Sequence, residues 1–223
     1  MDGNRRWAKK RFMPAAVGHA AGAQRVRDIV RICGELGIAQ LSLFAFSTEN
    51  WKRPEEEVSS LMKLFMTYLK KEIKNMNAHG VKLKVLGDVS RFSAQLQDLI
   101  AMAEQITANN TTITLNVCAN YGGRWDVLQA TKSWLRAHPG ATLEALTEEA
   151  LVPYLSTANG PEVDLLIRTG GESRVSNFML WQAAYAELFF CDDLWPEFTA
   201  DRLQEAVRWF ATRDRRFGSS API

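Results

Sequence analysis

Four short stretches of the chain carry apolar or alternating residues at strand length: Leu41 to Phe46, Val81 to Leu86, Ile113 to Ala119 and Val163 to Ile167. Such runs, bounded by polar segments, read as strands buried on at least one face. Between them the apolar positions recur every three or four residues. Val26, Ile29, Val30 and Cys33 share one face, as do Val58, Leu61, Met62, Phe65, Leu69 and Ile73. Leu96, Leu99, Ile100 and Ala103 repeat the spacing, and so do Leu203, Ala206, Val207 and Phe210. Each set is the core-facing stripe of an amphipathic helix. Strands alternating with helices predict an α/β fold, with a mostly parallel central sheet flanked by helices. No repeat, low-complexity tract or linker interrupts the pattern, so residues 1–223 are expected to form a single domain.

The polar positions cluster where that pattern breaks. Ser47-Thr48-Glu49-Asn50-Trp51 follows the first strand, and Pro54 starts the next helix with Glu55 to Glu57 in its first turn, the acidic end that a helix dipole favours. Asn120-Tyr121-Gly122-Gly123-Arg124-Trp125-Asp126 follows the third strand. Arg168-Thr169-Gly170-Gly171-Glu172-Ser173-Arg174-Val175-Ser176-Asn177-Phe178 follows the fourth, and Leu180-Trp181-Gln182 comes next. Open α/β sheets bind ligands at the carboxyl ends of their strands. Two arginines, with backbone amides freed by Gly170-Gly171, suit a doubly charged phosphate. A solvated loop with ordinary ion pairs is the plainer alternative. Met1-Asp2-Gly3-Asn4-Arg5-Arg6-Trp7 has the same polar character with no strand before it.

Composition narrows the partners. A formal charge of +2 argues against a surface that coats nucleic acid. Basic residues gather locally at Arg5-Arg6, Lys9-Lys10-Arg11 and Arg213 to Arg216, the last of these read as a solvated helix face. Cys33, Cys118 and Cys191 sit in apolar settings without a Cys-x-x-Cys pair, as reduced buried thiols do. Three histidines without a His-x-x-x-His pair make a zinc site unexpected. The chain contains neither a membrane-spanning run nor a signal peptide.

Five segments together resemble the cis-prenyltransferases: Met1 to Ala8; Gly18-His19-x-x-Gly22; Phe46-Ser47-Thr48-Glu49-Asn50-Trp51-x-Arg53-Pro54; Asn120 to Arg124; and Arg168 to Gln182 with Glu187 behind it. They span nearly the whole chain. The helical trans-type synthases carry aspartate-rich DDxxD motifs, which Asp192-Asp193-Leu194 does not complete.

The resemblance implies repeated Mg²⁺-dependent condensation of isopentenyl diphosphate onto an allylic diphosphate, usually farnesyl diphosphate, with a C55 product expected. It implies an allylic diphosphate cradle of Gly3, Asn4, Arg6 and His19, and an isopentenyl clamp of Arg168, Arg174 and Ser176. Arg5, Trp7, Ser47, Thr48, Glu49, Trp51, Arg53 and Val175 are further substrate-binding positions. Asp2 and Asn50 are the catalytic positions, and Asp2 with Glu187 would hold Mg²⁺, since a hard cation prefers carboxylate and phosphate oxygens. A neutral amide is a poor base, so Asn50 reads as an orienting group or relay, with pyrophosphate as final proton acceptor. Ala45 and the stripe of Leu61, Phe65 and Leu69 are candidate walls of an apolar channel. A homodimer is implied, cytoplasmic and touching the inner face of the membrane for product release. The apolar strip Ala183 to Phe190 and the Trp209-Phe210 pair are candidates for the dimer interface.

Each residue also has an ordinary structural role open to it. Asp2 and Ser47 suit helix or turn caps; Trp7, Trp51 and Trp125 suit core packing; His19 suits a satisfied structural histidine; Glu187 suits an exposed helix carboxylate. The family's first strand, an apolar run before Met-Asp-Gly-Asn, is missing, so Asp2 is expected on a frayed end. The family's usual arginine is Ala15 here, with Arg5 or Arg11 as the nearby substitutes. A non-catalytic prenyl-diphosphate-binding relative is the alternative. An unrelated nucleotide-binding protein fits less well, because no Gly-x-Gly-x-x-Gly or Walker A motif is present.

Overall fold

The computed structural model describes residues 1–158 and 160–215. The four expected strands form as β1 (Gln40–Ser47), β2 (Val81–Leu86), β3 (Ile113–Tyr121) and β4 (Leu165–Arg168), and a fifth, β5 (Glu187–Phe190), follows. The expected stripes lie on α2 (Ala15–Glu35), α3 (Glu55–Ala78), α4 (Ala94–Thr107) and α7 (Ala200–Ala211). Three further α-helices among the described residues were not read from the stripes: α1 (Asn4–Lys10), α5 (Gly123–Ala137) and α6 (Glu148–Leu151). Pro54 is the cap before α3, whose first turn holds Glu55, Glu56 and Glu57.

All strand pairs are parallel, and the ladders divide into two sheets, ordered β1-β3-β2 and β4-β5. β1 ends the first sheet and β4 belongs to the second. A cavity lined by residues 39–45 and 161–169 lies between them. Successive side chains leave a strand on opposite faces. Leu43, Leu115 and Leu83 therefore enter the main core with Ile29, Cys33, Leu69, Leu96 and Leu203 of the helices. Phe44 and Cys118 instead meet Phe178 and Met179 on the other face, and Tyr121 joins them with Trp125 because Asn120, at φ 52, interrupts the alternation.

Several expectations are corrected here. The strip 183–190 ends in strand β5, so Glu187 is a strand residue, aligned with Leu165 and paired with Arg213 at 3.4 Å. Two of its apolar neighbours, Leu188 and Phe190, stay exposed. Helix α7 stops at Ala211, so Arg213 and Arg215 are not on a helix face, and Arg216 lies outside the described residues. Arg213 and Arg215 pair instead with Glu187 and Asp164. Trp209 packs edge-on against Phe189. The three cysteines are free and buried as expected. Burial alone pushes the Cys33 thiol up to about 12, so it stays protonated and unreactive.

Candidate functional site

The first residues are not frayed. The Asp2 N–H donates to Thr169 Oγ1 at 2.9 Å, and that hydroxyl donates back to the Asp2 carbonyl at 3.0 Å. The same carbonyl accepts the Trp195 N–H at 2.9 Å. Arg6 Nη1 donates to the Gly170 carbonyl at 2.6 Å, tying α1 to the glycine turn after β4. Gly3 turns here at φ +104, where a Cβ would stand 2.8 Å from Leu194 Cδ2; only glycine accepts both conditions. The tie runs from the amino end to the turn after β4 through the Thr169 and Arg6 side chains, with the Trp195 main chain as a third point.

The Asp2 carboxylate accepts the Gly3 N–H at 2.7 Å and Arg168 Nη2 at 3.1 Å, with Arg6 Nη2 at 3.5 Å. Burial pushes its pKa upward, but these hydrogen bonds and the two arginine charges win and hold it below its usual value. Asp2 is thus ionised at neutral pH.

Helix α1 lies on α2 because two glycines let it. A Cβ on Gly18 would meet the Asn4 carbonyl at 2.1 Å, and one on Gly22 would meet Asn4 Oδ1 at 2.2 Å. Both glycines of Gly18-His19-x-x-Gly22 therefore serve helix contact, and the histidine between them faces the cavity. His19 Nε2 and Asn4 Oδ1 are buried without a hydrogen-bond partner among the described residues. Burial, reinforced by Arg53 and Arg5, lowers the His19 pKa, so the ring is neutral at pH 7. Glu57 holds those two cations at 3.0 and 3.4 Å.

At the strand ends, Ser47 and Asn50 form a reciprocal capping box around the turn after β1, and Asn50 Oδ1 accepts the Ser47 N–H at 3.0 Å. Trp51 Nε1 donates to Asn120 Oδ1 at 2.8 Å, and its ring carries Arg91 at 4.2 Å. Arg168 Nη1 donates to Ser176 Oγ at 2.8 Å and to the Arg174 carbonyl, while Arg174 pairs with Glu172. The Asn177 amide reaches Glu49 Oε1 at 2.9 Å. Three loops from three strands are therefore laced together.

The cavity measures about 1330 Å³. Its polar end is lined by Asp2, Gly3, Asn4, Arg5, Arg6, His19, Ser47, Glu49, Asn50, Arg53, Arg168, Arg174, Val175 and Ser176; Ala45, Leu61, Ile29 and Phe198 are among the apolar residues lining the rest. Four expected residues do not line it. Trp51 is held by Asn120, Trp7 lies under Arg11 at 4.3 Å, and Thr48 backs onto Gly122. Glu187 sits opposite Leu165, three positions before Arg168, so a rise of about 3.3 Å per residue puts it about 10 Å from the Asp2 end of the strands. Asp2 and Glu187 are not brought together within one chain, and among the described residues no group of three metal-ligating side chains converges. Of the channel stripe, Leu69 is core and Phe65 packs against the core.

Over residues 1–218 the sequence matches a family model described as "Putative undecaprenyl diphosphate synthase". The chain belongs to this family of cis-prenyltransferases. An isoprenyl transferase of Ralstonia nicotianae is 50% identical over 99% of this chain and 86% of its own length. A ditrans,polycis-undecaprenyl-diphosphate synthase ((2E,6E)-farnesyl-diphosphate specific) of Shewanella oneidensis is 54% identical over 98% and 80%. Lavandulyl diphosphate synthase from Lavandula x intermedia, solved in complex with dimethylallyl diphosphate, superposes with a TM-score of 0.93 at 32% identity, covering 98% of this chain and 95% of that one.

The cis-prenyltransferase motifs were legible as residues, while several residues that hold them in place were not. Thr169, Trp195, Glu57 and Asn177 act through contacts 52 to 193 positions away, from Glu57 with Arg5 to Trp195 with Asp2. Glu57 carried a signal in the acidic first turn of α3, and Thr169 and Asn177 stood inside the polar cluster after β4, but nothing in the sequence marked Trp195. Ala15 opens onto a small surface hollow with Arg5, Arg6 and Lys9. Arg11, the other possible substitute for the arginine absent at 15, is paired with Glu197 at 2.8 Å.

Proposed function

We propose that this chain catalyses Mg²⁺-dependent cis-prenyl transfer, condensing isopentenyl diphosphate repeatedly onto farnesyl diphosphate to give C55 undecaprenyl diphosphate. The observation that carries this is one cavity with two cationic groups at its mouth and apolar lining beyond: Arg5, Arg6 and Arg53, beside neutral His19, on one side, and Arg168 and Arg174 on the other. Two diphosphates and one growing hydrocarbon need that arrangement.

The allylic diphosphate lies against Gly3, Asn4, Arg6 and His19, where neutral His19 and the arginines stabilise negative charge as the carbon–oxygen bond breaks. Arg168, Arg174 and Ser176 take the isopentenyl diphosphate, exchanging their internal partners for phosphate oxygens. The terminal alkene carbon then bonds to the allylic carbon, pyrophosphate departs with the bonding pair, and one proton leaves the isopentenyl unit. Asn50 orients: its carbonyl oxygen is engaged by the Ser47 N–H, and its NH₂ can only donate. Pyrophosphate is left as the proton acceptor.

Asp2, ionised and half-exposed at the cavity mouth, suits Mg²⁺, which is commonly held by one or two carboxylates together with substrate phosphates. The ion supplies charge neutralisation of the leaving diphosphate. Glu187 would complete such a site only from beyond its own chain, which fits the homodimer we propose, with exposed Tyr185, Leu188 and Phe190 available for contact. Among the described residues no helix is long and apolar enough to cross a membrane. We place the enzyme in the cytoplasm, touching the inner face of the membrane to release its product.

The test is incubation with farnesyl diphosphate, labelled isopentenyl diphosphate and Mg²⁺ in detergent, followed by product sizing. A ladder ending at C55 is expected. Binding of a non-hydrolysable farnesyl analogue without any product would favour the non-catalytic alternative.

A further inference from the structure

Asn177 spends both ends of its side-chain amide and its main-chain carbonyl on residues of other elements. Its Oδ1 accepts the Arg124 N–H at 2.9 Å, and its main-chain carbonyl accepts the Gly123 N–H at 2.7 Å. Those are the first two amides of α5, a helix whose own cap residue, Gly122, supplies no side-chain hydrogen bond. Its Nδ2 donates to Glu49 Oε1 at 2.9 Å. The residue adopts φ 64, between Ser176 at φ 48 and Phe178, with Met179 at φ 44. Non-glycine residues hold left-handed conformations when their surroundings over-determine them, and asparagine tolerates this conformation better than most.

The consequence is geometrical. Ser176, one residue before Asn177, accepts from Arg168; Glu49, at the other end of the contact, belongs to the capped turn that carries Asn50. Burial disfavours the Glu49 charge, yet its hydrogen bonds, that from Asn177 foremost, hold its pKa below the usual value. The contact is thus between an amide donor and an ionised acceptor. We infer that Asn177 is a positioning residue that sets the isopentenyl clamp in register with the Glu49–Asn50 turn, so that one side chain fixes the offset between the two halves of the reaction site. This rests on the prenyl-transfer reading above.

The two ends of the asparagine can be separated by mutation. Asn177→Asp keeps an oxygen for the Arg124 N–H but replaces the donor to Glu49 with a second carboxylate. A charge-assisted hydrogen bond lost in this way corresponds to about tenfold or more. In Asn177→Asp the KM for isopentenyl diphosphate is expected to rise and kcat to fall, together about tenfold or more in kcat/KM. The allylic KM is expected to hold, because the cradle does not touch residue 177, and thermal stability should change little.

Repeating the substitution in a Glu49→Gln background closes a double-mutant cycle. There the new amide at position 49 can donate to the new carboxylate at position 177, and the second substitution should cost much less than it does in the parent. Equal losses for both substrates, no loss at all, or the same cost in both backgrounds would each overturn the assignment. Should Asn177→Asp unfold, Asn177→Ser gives the second reading: a retained cap, no reach to Glu49, and the same isopentenyl-selective loss. The parent protein is assayed alongside; an inactive parent counts against the prenyl-transfer reading, whereas an active parent with no cycle coupling counts against Asn177 alone.

Discussion

The two halves of the cavity mouth satisfy their polar groups in opposite ways. On the cradle side, His19 Nε2 and Asn4 Oδ1 are buried with nothing to bond among the described residues. On the clamp side, Arg168 is already divided between Asp2, Ser176 and the Arg174 carbonyl, and Arg174 is on Glu172. A diphosphate entering the cradle can give His19 Nε2, as an N–H, the partner it lacks, while Asn4 Oδ1 only accepts and stays packed on Gly22, and Arg6 must exchange its bond to the Gly170 carbonyl. A ligand entering the clamp must displace protein partners first. The difference teaches that the clamp is held by its own loop, whereas the cradle combines paired arginines with one buried ring nitrogen that has no partner among the described residues.

The largest effect should come from the clamp. Arg168→Ala removes the proposed phosphate ligand and also strips Asp2 of its closest cation, so kcat/KM should fall about hundredfold or more, measured by incorporation of labelled isopentenyl diphosphate. His19→Ala should act on the cradle alone, raising the allylic KM about tenfold with the isopentenyl KM unchanged; equal effects on both would erase the contrast between the halves. Ala15→Arg should sharpen it, tightening the allylic substrate by up to about tenfold if the added guanidinium reaches the diphosphate. Unchanged affinity would show that Arg5 and Arg6 already supply the charge there. Asn50→Ala should lose turnover by a smaller factor. It forfeits the capping box around Ser47, a contribution of about 1 kcal/mol, and an orienting donor, but no base; abolished turnover would instead place Asn50 on the proton path.

The smallest effect concerns pH. The folded His19 pKa lies below its ordinary 6.5, so the unfolded chain binds the extra proton first as pH falls. Stability contributed by neutral His19 is complete above that value and declines below it, toward the folded pKa. His19→Gln should flatten this part of the melting-temperature profile. Asp2 contributes in the same direction at lower pH: its folded pKa is depressed below 3.8, so its stabilisation is present above that value and lost below it.

Periodicity was enough for the layered architecture, because α2, α3, α4 and α7 each bury one stripe and three strands alternate cleanly. It missed β5, since Glu187-Leu188-Phe189-Phe190 alternates over only four residues, and its single polar member also suits a helix. It missed the division into two sheets, which depends on pairing partners rather than on local pattern. Within the site, chemistry and family resemblance named most of the residues that line the polar end of the cavity. The tie between Asp2 and Thr169 joins residues 167 apart, and no local pattern encodes such a contact. Trp51 shows the reverse: its motif suggested substrate, and its indole N–H is taken by Asn120.

Asn4 lays its carbonyl against Gly18 and its side-chain oxygen against Gly22, so the seam between α1 and α2 has no room for a methyl group at either position. The same helix carries Arg6 and follows Asp2, whose bonds to Gly170 and Thr169 hold the amino end on the turn after β4. A bulkier residue in the seam would therefore act as a lever, lifting two charged side chains from the polar end of the cavity without touching either of them.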